Sequence, residues 1–502
     1  MTANRRFLSI LTLGAVVLSL AAVCRGPEYD EGYTAFVTGR EARPDWPRTP
    51  FRVAEMRAAF LPAPTPAAIL EMLRQTDVHP PLYFWLAWGW RRCFGPDLRV
   101  TRMLSVLLSL GALALVGATA RVTGLPPGLP MLLTLGCYGF VGSGVVARGF
   151  ALAQCLSVAG LLLALLARRK DRPALALASG ASLGAASFTN YLAGFPAAAA
   201  LLWSLSRRPR GLLQSAAMFG GLAPFLASDF YVFVAQRGSR IGQFEPFAWA
   251  RLPAAFGRAI GGALLGGLPL YIGGVYRVTA TGLLALLLGT MLAMPVLRWR
   301  RVEPHDARDL WGMAALAAPL GLVAMGWAAG SMPVEIRYLT FALPPFALML
   351  AAALREVAVA RVLCRAVLAA QALSVAGLIV RPETMQPEGT AALAAVRAAG
   401  PNGLVLLPRG NDGVGLVAAF ATAAPNGLRI ALLEPGTAIA VLRRAALSGG
   451  RVVVVLLAVD RDSRSVSGAI RAATAAECRH PAGPSGAELL IVSPGLTCFS
   501  HL

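Results

Sequence analysis

The chain has 502 residues, 56% of them hydrophobic, and a formal net charge of +21. That apolar share exceeds the roughly 45–50% of soluble domains and points to a polytopic membrane protein whose partners include membrane lipids. On a soluble domain so large a positive charge would suggest nucleic acid, but here the arginines gather in short loops between apolar runs, as cytoplasmic loops do, so no nucleic-acid partner is expected.

In chain order, Arg5 and Arg6 precede an apolar run from Phe7 to Val23, read as an uncleaved first helix with its N-terminus in the cytoplasm. A long external loop, 24–102, follows; within it Pro80 to Phe94 is apolar and ends on Arg91 and Arg92, which suits a helix lying in the interface. Runs of spanning length then alternate across the membrane: Met103–Ala120, Leu129–Val146, Phe150–Ala167, Ala174–Phe188, Tyr191–Leu205, Gly211–Ala235, Val278–Leu297, Leu310–Ala329, Tyr338–Leu354 and Ala366–Val380. Arg168-Arg169-Lys170-Asp171-Arg172, Arg207 to Arg210, Arg298 to Arg301 and Arg355 to Arg365 mark the cytoplasmic side. The Gly-rich stretch Leu252–Gly274 fits this alternation only as a re-entrant or interfacial segment. The total is about eleven spans, with the C-terminus outside. The surplus of Ala, Gly and Arg suggests a GC-rich bacterial genome, and hence the bacterial cytoplasmic (inner) membrane.

After Arg381 the texture changes. Gly403–Leu407, Leu428–Leu433, Arg451–Ala458 and Glu488–Val492 are short β-type runs separated by turns rich in Gly, Pro, Asn and Asp, and Thr390–Ala399 reads as an Ala-rich helix. The predicted organisation is a transmembrane domain, 1–384, carrying the loop 24–102, and a small extracytoplasmic α/β domain, 385–502. Gly410-Asn411-Asp412-Gly413-Val414-Gly415 lacks dinucleotide-binding spacing and reads as a plain loop. Seven cysteines without a CxxC do not suggest zinc. Cys24 with Cys93, and Cys478 with Cys498, share predicted external segments, where each pair is either a disulfide or two free thiols.

Two motifs stand out in the first external loop: Asp30-Glu31-Gly32-Tyr33 just past helix one, and His79-Pro80-Pro81-Leu82-Tyr83-Phe84 at the end of its polar stretch. Acids at a helix exit are ordinarily just solvated, and a His ahead of Pro-Pro is ordinarily a helix start. Together they resemble the first external loop of the GT-C membrane glycosyltransferases, in particular the protein mannosyltransferase and aminoarabinose transferase group. The resemblance covers roughly residues 1–380. It implies transfer of a sugar from a polyprenyl-phosphate donor to an extracytoplasmic glycan, lipid or protein, without a nucleotide-sugar site. It also implies that Asp30 is the essential acid, as base for the acceptor hydroxyl or as ligand of a divalent metal ion, with Glu31 a second catalytic or metal-binding candidate.

His79 stands where the mannosyl group has His and the aminoarabinose group Lys, a place from which the resemblance implies contact with a phosphate or a metal ion. In the latter group a Glu precedes that residue, whereas here it is Val78, with Asp77 one further back. Arg102, Arg148 and Arg337 fall at predicted external span ends, in the segments Thr101-Arg102-Met103-Leu104-Ser105, Ala147-Arg148-Gly149-Phe150 and Ile336-Arg337-Tyr338-Leu339. A guanidinium there is a phosphate fork or a snorkelling headgroup contact; Arg337 with Tyr338 is the foremost of the three. Thr189-Asn190-Tyr191 reads as a turn as readily as a site. Two competing classes are a transporter or flippase of lipid-linked substrates and a non-catalytic GT-C-like scaffold. The first calls for charges buried mid-span or an inverted repeat, and the spans look nearly free of charge.

Overall fold

The computed structural model describes residues 3–39, 43–58, 60, 65–206, 211–236, 244–266, 275–355, 360–381, 387–447, 450–482 and 487–492. They divide into two compact units. The first comprises Met1–Val23, Leu73–Tyr83 and Arg102–Val380; the second comprises Cys24–Met72, Phe84–Thr101 and Arg381–Leu502.

The first unit is helical because its sequence is a series of apolar runs, and a backbone in hydrocarbon must satisfy its own hydrogen bonds. Among the described residues eight helices are long and apolar enough to cross a membrane: Asn4–Cys24, Leu98–Val122, Phe150–Lys170, Gly211–Gln236, Tyr276–Leu297, His305–Ala329, Ile336–Leu354 and Arg361–Val380. The expected count of eleven is not reached, because three of the predicted spans are shorter or broken. Leu129–Val146 forms two helices, Gly128–Gly136 and Tyr138–Gly144, separated by an extended Cys137. Pro173–Ser187 has 15 residues, and Gly194–Leu205 has 12, after a short 3-10 turn at Tyr191.

The break at Cys137 has a visible compensation. Gln371, buried in the helix Ala360–Val380, donates through Nε2 to the carbonyls of Leu133 (3.3 Å) and Leu264 (3.0 Å). Ser374 on the same helix donates to the carbonyl of Leu265. These carbonyls stand at or near the ends of Gly128–Gly136 and Leu252–Leu265, where helices leave acceptors unsatisfied. A Cβ on Gly136 would lie 2.5 Å from Gln371 Oε1, so glycine admits the amide. Residues 267–274, the rest of the expected re-entrant segment, lie outside the described residues, as do 207–210.

Helix Pro173–Ser187 meets Gly211–Gln236 backbone to backbone. A Cβ on Gly180 would fall 1.8 Å from the Met218 carbonyl oxygen, and one on Gly221 2.1 Å from that of Leu177. Small residues allow this approach, as is usual for helices in membranes.

The second unit carries a six-stranded sheet, ordered β1-β3-β2-β4-β6-β5, where β1 is Phe51–Arg52, β2 Leu404–Pro408, β3 Arg429–Leu433, β4 Val452–Leu456, β5 Arg479–Pro481 and β6 Glu488–Val492. The central β3-β2-β4 strands are parallel. Parallel neighbours require crossovers, which the helices Gly415–Ala423 and Ala438–Leu447 supply. β4 is buried along its whole length, so it reads as an unbroken Val-Leu run rather than an alternating one. The α/β texture expected after Arg381 is therefore the observed one.

Where that unit begins differs from the sequence expectation, which left 24–102 with the transmembrane domain. The loop contributes β1, which pairs antiparallel with β3, and the helix Tyr29–Gly39, whose Gly32 crosses Gly415 so closely that a Cβ would lie 2.4 Å from the Gly415 carbonyl oxygen. Arg57 ties in the same loop by donating to the carbonyls of Ala421 (2.9 Å) and Ala424 (2.7 Å) and to Asn426 Oδ1 (2.8 Å). The Gly410–Gly415 turn receives it: Trp46 Nε1 donates to the Gly413 carbonyl at 2.6 Å, and the Tyr29 hydroxyl donates to Asp412. Cys24 and Cys93 are free thiols. Cys478 is disulfide-bonded, while Cys498 lies outside the described residues.

Candidate functional site

In the first unit, His79 belongs to a buried ionic cluster. Its Nδ1 lies 3.1 Å from Asp77 Oδ1 and 3.1 Å from Arg148 Nη2, and Arg148 Nη2 donates to Asp77 Oδ2 at 3.1 Å. The Asp77 and Arg148 side chains are 0% and 1% exposed, that of His79 16%. A buried carboxylate must be paired, and Arg148 pairs it. Arg148 is thus committed inward rather than standing open to a ligand as the sequence suggested. The sequence noted Asp77 only as an acid one position further back than the Glu of the aminoarabinose group.

The other arginines separate in character. Arg102, 2% exposed, donates to the carbonyl of Ala22 at 2.8 Å, near the C-terminus of the helix Ala3–Cys24. That end carries unsatisfied carbonyls and partial negative charge, so this contact secures a helix end. Arg337 is about one-third exposed; its Nε donates to Glu335 Oε2 at 2.6 Å and its guanidinium lies over the Tyr338 ring, 5.3 Å from the centroid. Of the three arginines it alone presents appreciable surface. Asn190 caps the turn at Tyr191 by accepting from the Leu192 N–H at 3.1 Å, so the turn reading describes it.

One carboxylate contradicts the expectation that the spans are nearly free of charge. Asp229 is 7% exposed within the span Gly211–Gln236. Ser187 donates to its Oδ2 at 2.6 Å, and Oδ1 has no hydrogen-bond partner among the described residues. Asp229 lies at the close-packed seam with Pro173–Ser187, two turns beyond Gly221. Asp229→Asn keeps an acceptor for Ser187 and removes a charge that is costly in hydrocarbon. We expect the variant to match or exceed the wild type in thermal unfolding in detergent, whereas Asp229→Ala, which strands the hydroxyl, loses about 1 kcal/mol. A loss of several degrees in Asp229→Asn would mean that a cation compensates the carboxylate.

In the second unit, Asp30 and Glu31 occupy the first turn of Tyr29–Gly39, where negative charge suits the helix N-terminus. Glu31 is 1% exposed and accepts from the Glu28 backbone N–H at 3.3 Å, a capping arrangement that fixes the start of the helix. Asp30, immediately before it, is half-buried. Arg25 forms an ion pair with Glu28. Glu388, in the first turn of Pro387–Ala399, is 6% exposed. Burial pushes its carboxyl up to about 7; the charges of Glu28 and Asp30 add to this, and its own backbone hydrogen bond and Arg25 oppose it. The Glu28 carboxyl is likewise raised, first by burial. Neither Glu28 nor Glu388 carried a sequence signal, since nothing in Pro27-Glu28-Tyr29 or Pro387-Glu388-Gly389 announces burial.

The Glu31 carboxylate serves the helix cap, and among the described residues no group of three or more His, Cys, Asp or Glu is placed to hold a metal ion.

No family model matches this sequence, and no curated protein does. Solved structures match. ArnT from Cupriavidus metallidurans, bound to undecaprenyl phosphate, aligns over 98% of this chain and 99% of its own, with a TM-score of 0.52 and 13% identity. Its apo form aligns over 98% of both chains with a TM-score of 0.51 and 13% identity. The archaeal oligosaccharyltransferase AglB from Archaeoglobus fulgidus, in complex with an inhibitory peptide and a dolichol-phosphate, covers 90% of this chain and 69% of its own at a TM-score of 0.44 and 11% identity. At the level of the ArnT matches, what is shared is the fold.

Proposed function

We propose that this chain, which has the GT-C fold, is a membrane glycosyltransferase that moves a sugar from a polyprenyl-phosphate donor to an extracytoplasmic acceptor with inversion. The observation that carries the reading is the placement of Asp30 in the first turn of a helix fixed by the Glu31 cap, in a chain built like an enzyme whose structure holds undecaprenyl phosphate.

In this reading Asp30 accepts the proton of the acceptor hydroxyl as that oxygen attacks the anomeric carbon. The bond from that carbon to the phosphate oxygen breaks, and the polyprenyl phosphate leaves with the electron pair. Arg337 stabilises the leaving phosphate through its forked donors, with Tyr338 and Glu335 holding the guanidinium in place. Glu31 positions Asp30 rather than sharing its chemistry. Arg102 and Arg148 support the fold around the donor. The donor lies in the bacterial cytoplasmic membrane, with the N-terminus cytoplasmic and the second unit outside.

Binding of undecaprenyl phosphate to the purified full-length protein in nanodiscs tests this reading. Arg337→Ala is expected to weaken it roughly tenfold or more, the worth of a charge-assisted hydrogen bond. Absence of binding by the wild type, or undiminished binding by Arg337→Ala, would overturn the donor assignment.

A further inference from the structure

We propose that Asp412 is a positioning residue for Asp30, acting through Tyr29, so that the turn after β2 serves the reaction by fixing the helix that carries its base. The proposal rests on the role of Asp30 as base for the acceptor hydroxyl given above. The helix Tyr29–Gly39 is tied at both ends. Near its C-terminal end Arg91 donates to the Ala35 carbonyl at 3.1 Å and to the Thr38 hydroxyl, where a cation suits the helix terminus. At its N-terminal end the Tyr29 hydroxyl donates to Asp412 Oδ2. Asp30 is the next residue, so this bond acts on the turn that holds it.

The two oxygens of Asp412 have separate partners. Oδ1 accepts from the Val414 N–H at 2.9 Å and the Gly415 N–H at 3.2 Å, which fixes the side chain against the start of the helix Gly415–Ala423. Oδ2 takes Tyr29. The turn itself is anchored to the loop after β4. The Asn411 N–H donates to Asp460 Oδ2 at 3.0 Å, the Asp462 N–H donates to Asn411 Oδ1 at 2.9 Å, and Asp460 Oδ1 caps the helix Arg461–Ala473 by accepting from the Ser463 N–H at 2.7 Å. Gly410 has a φ of 75°, and a Cβ there would lie 2.7 Å from Asp460 Oδ2, so glycine lets the turn close on that aspartate. β2 lies between β3 and β4, and the ends of β2 and β4 form the crevice where open α/β sheets ordinarily take a ligand. Here Asn411 and Asp460 bridge the crevice, and Asp412 beside them holds Tyr29.

The packing under this bond is close. A Cβ on Gly415 would lie 2.8 Å from the Tyr29 ring carbons Cδ1, Cδ2 and Cε1, so the ring rests against a bare Cα. A Cβ on Gly32 would likewise meet the Gly415 carbonyl oxygen at 2.4 Å. The glycines set how near the two helices come, and the bond from phenol to carboxylate sets how the first turn is rotated. A misplacement of about 1 Å at a reacting group can cost about 10²-fold in rate. Loss of the tie should therefore fall on turnover rather than on donor affinity.

Amide hydrogen exchange of the full-length protein in nanodiscs reads the tie directly. Tyr29→Phe is expected to speed exchange at the Gly32 to Thr34 amides about tenfold, the worth of a charge-assisted hydrogen bond, with β2 and β4 unchanged. Asp412→Asn keeps an acceptor for the two backbone N–H groups and should act in the same direction to a smaller extent. The Tyr29→Phe/Asp412→Asn protein should exchange no faster than Tyr29→Phe alone, because both changes remove one bond. Turnover, with polyprenyl-phosphate lipids extracted from a bacterial membrane as the donor pool, should fall about tenfold in Tyr29→Phe while undecaprenyl phosphate affinity holds. Unchanged exchange in Tyr29→Phe, faster exchange throughout the sheet, additive effects, or faster exchange with undiminished turnover would each overturn the positioning role. Absence of transfer by the wild type, or full transfer by Asp30→Asn, would instead overturn the reading on which the proposal rests, and exchange would still tell whether Asp412 holds the turn.

Discussion

Asp30→Asn is expected to lower sugar transfer from a polyprenyl-phosphate donor by about 10²–10⁴-fold, the range of general-base assistance. The substitution keeps size and hydrogen-bonding capacity while removing charge and basicity, so the loss belongs to kcat rather than to donor affinity. Its neighbours keep the helix start intact without it: Glu31 holds the cap on the Glu28 N–H, and Gly32 makes the close crossing with Gly415. Thermal unfolding and abundance should therefore stay near wild type. Glu31→Gln, which retains an acceptor for the cap, should cost far less activity. Transfer assays on both variants with a verified donor, alongside undecaprenyl phosphate binding, check this. Full transfer by Asp30→Asn would remove Asp30 from the mechanism.

Glu388→Gln is expected to stabilise the protein at pH 8 by up to about 3 kcal/mol and to change little at pH 4. Burial holds the folded carboxyl at about 7 against an ordinary value of 4.5. Between these values the folded state keeps a proton that the unfolded chain has released. Stability therefore falls as pH rises through that window, is full below about 4.5 and is lost above about 7. Glutamine cannot ionise, so the variant should lack that part of the slope. A residual slope should remain, because the Glu28 carboxyl is also raised, chiefly by burial. Thermal unfolding of the full-length protein and the variant at several pH values between 4 and 8 measures this. Parallel profiles would show that the folded and unfolded states ionise Glu388 alike.

The legible parts of the fold were those written in local periodicity. A run of apolar residues long enough to cross hydrocarbon has one available conformation, because its backbone must bond to itself; hence helices such as Phe150–Lys170 and His305–Ala329 were readable in advance. A short Val-Leu run between Gly- and Asp-rich turns is likewise read as a buried strand, and β2, β3, β4 and β6 lie where those runs do. The Asp30-Glu31 and His79-Pro80-Pro81 motifs could be picked out because they place polar chemistry next to apolar runs. The GT-C likeness they suggested is the fold found in the ArnT structures.

What the sequence by itself determined, then, was membrane character, the change of texture at Arg381 and the identity of the residues worth examining. Only the tertiary structure decided their partners. Arg102 and Arg148 look alike in sequence, each a lone arginine beside an apolar run. One secures the Ala22 carbonyl and the other a carboxylate 71 positions away. A two-residue strand and a Gly-Gly crossing tie the stretch Cys24–Met72 of the first loop into the same unit as the C-terminal sheet, and neither leaves a periodic trace. The break at Cys137 persists because Gln371, more than 230 positions on, supplies a hydrogen bond that the broken helix lacks. Periodicity records what a segment does with its own neighbours. Ion pairs, caps and close backbone crossings depend on which distant groups share a buried space, and that is fixed only when the chain has folded.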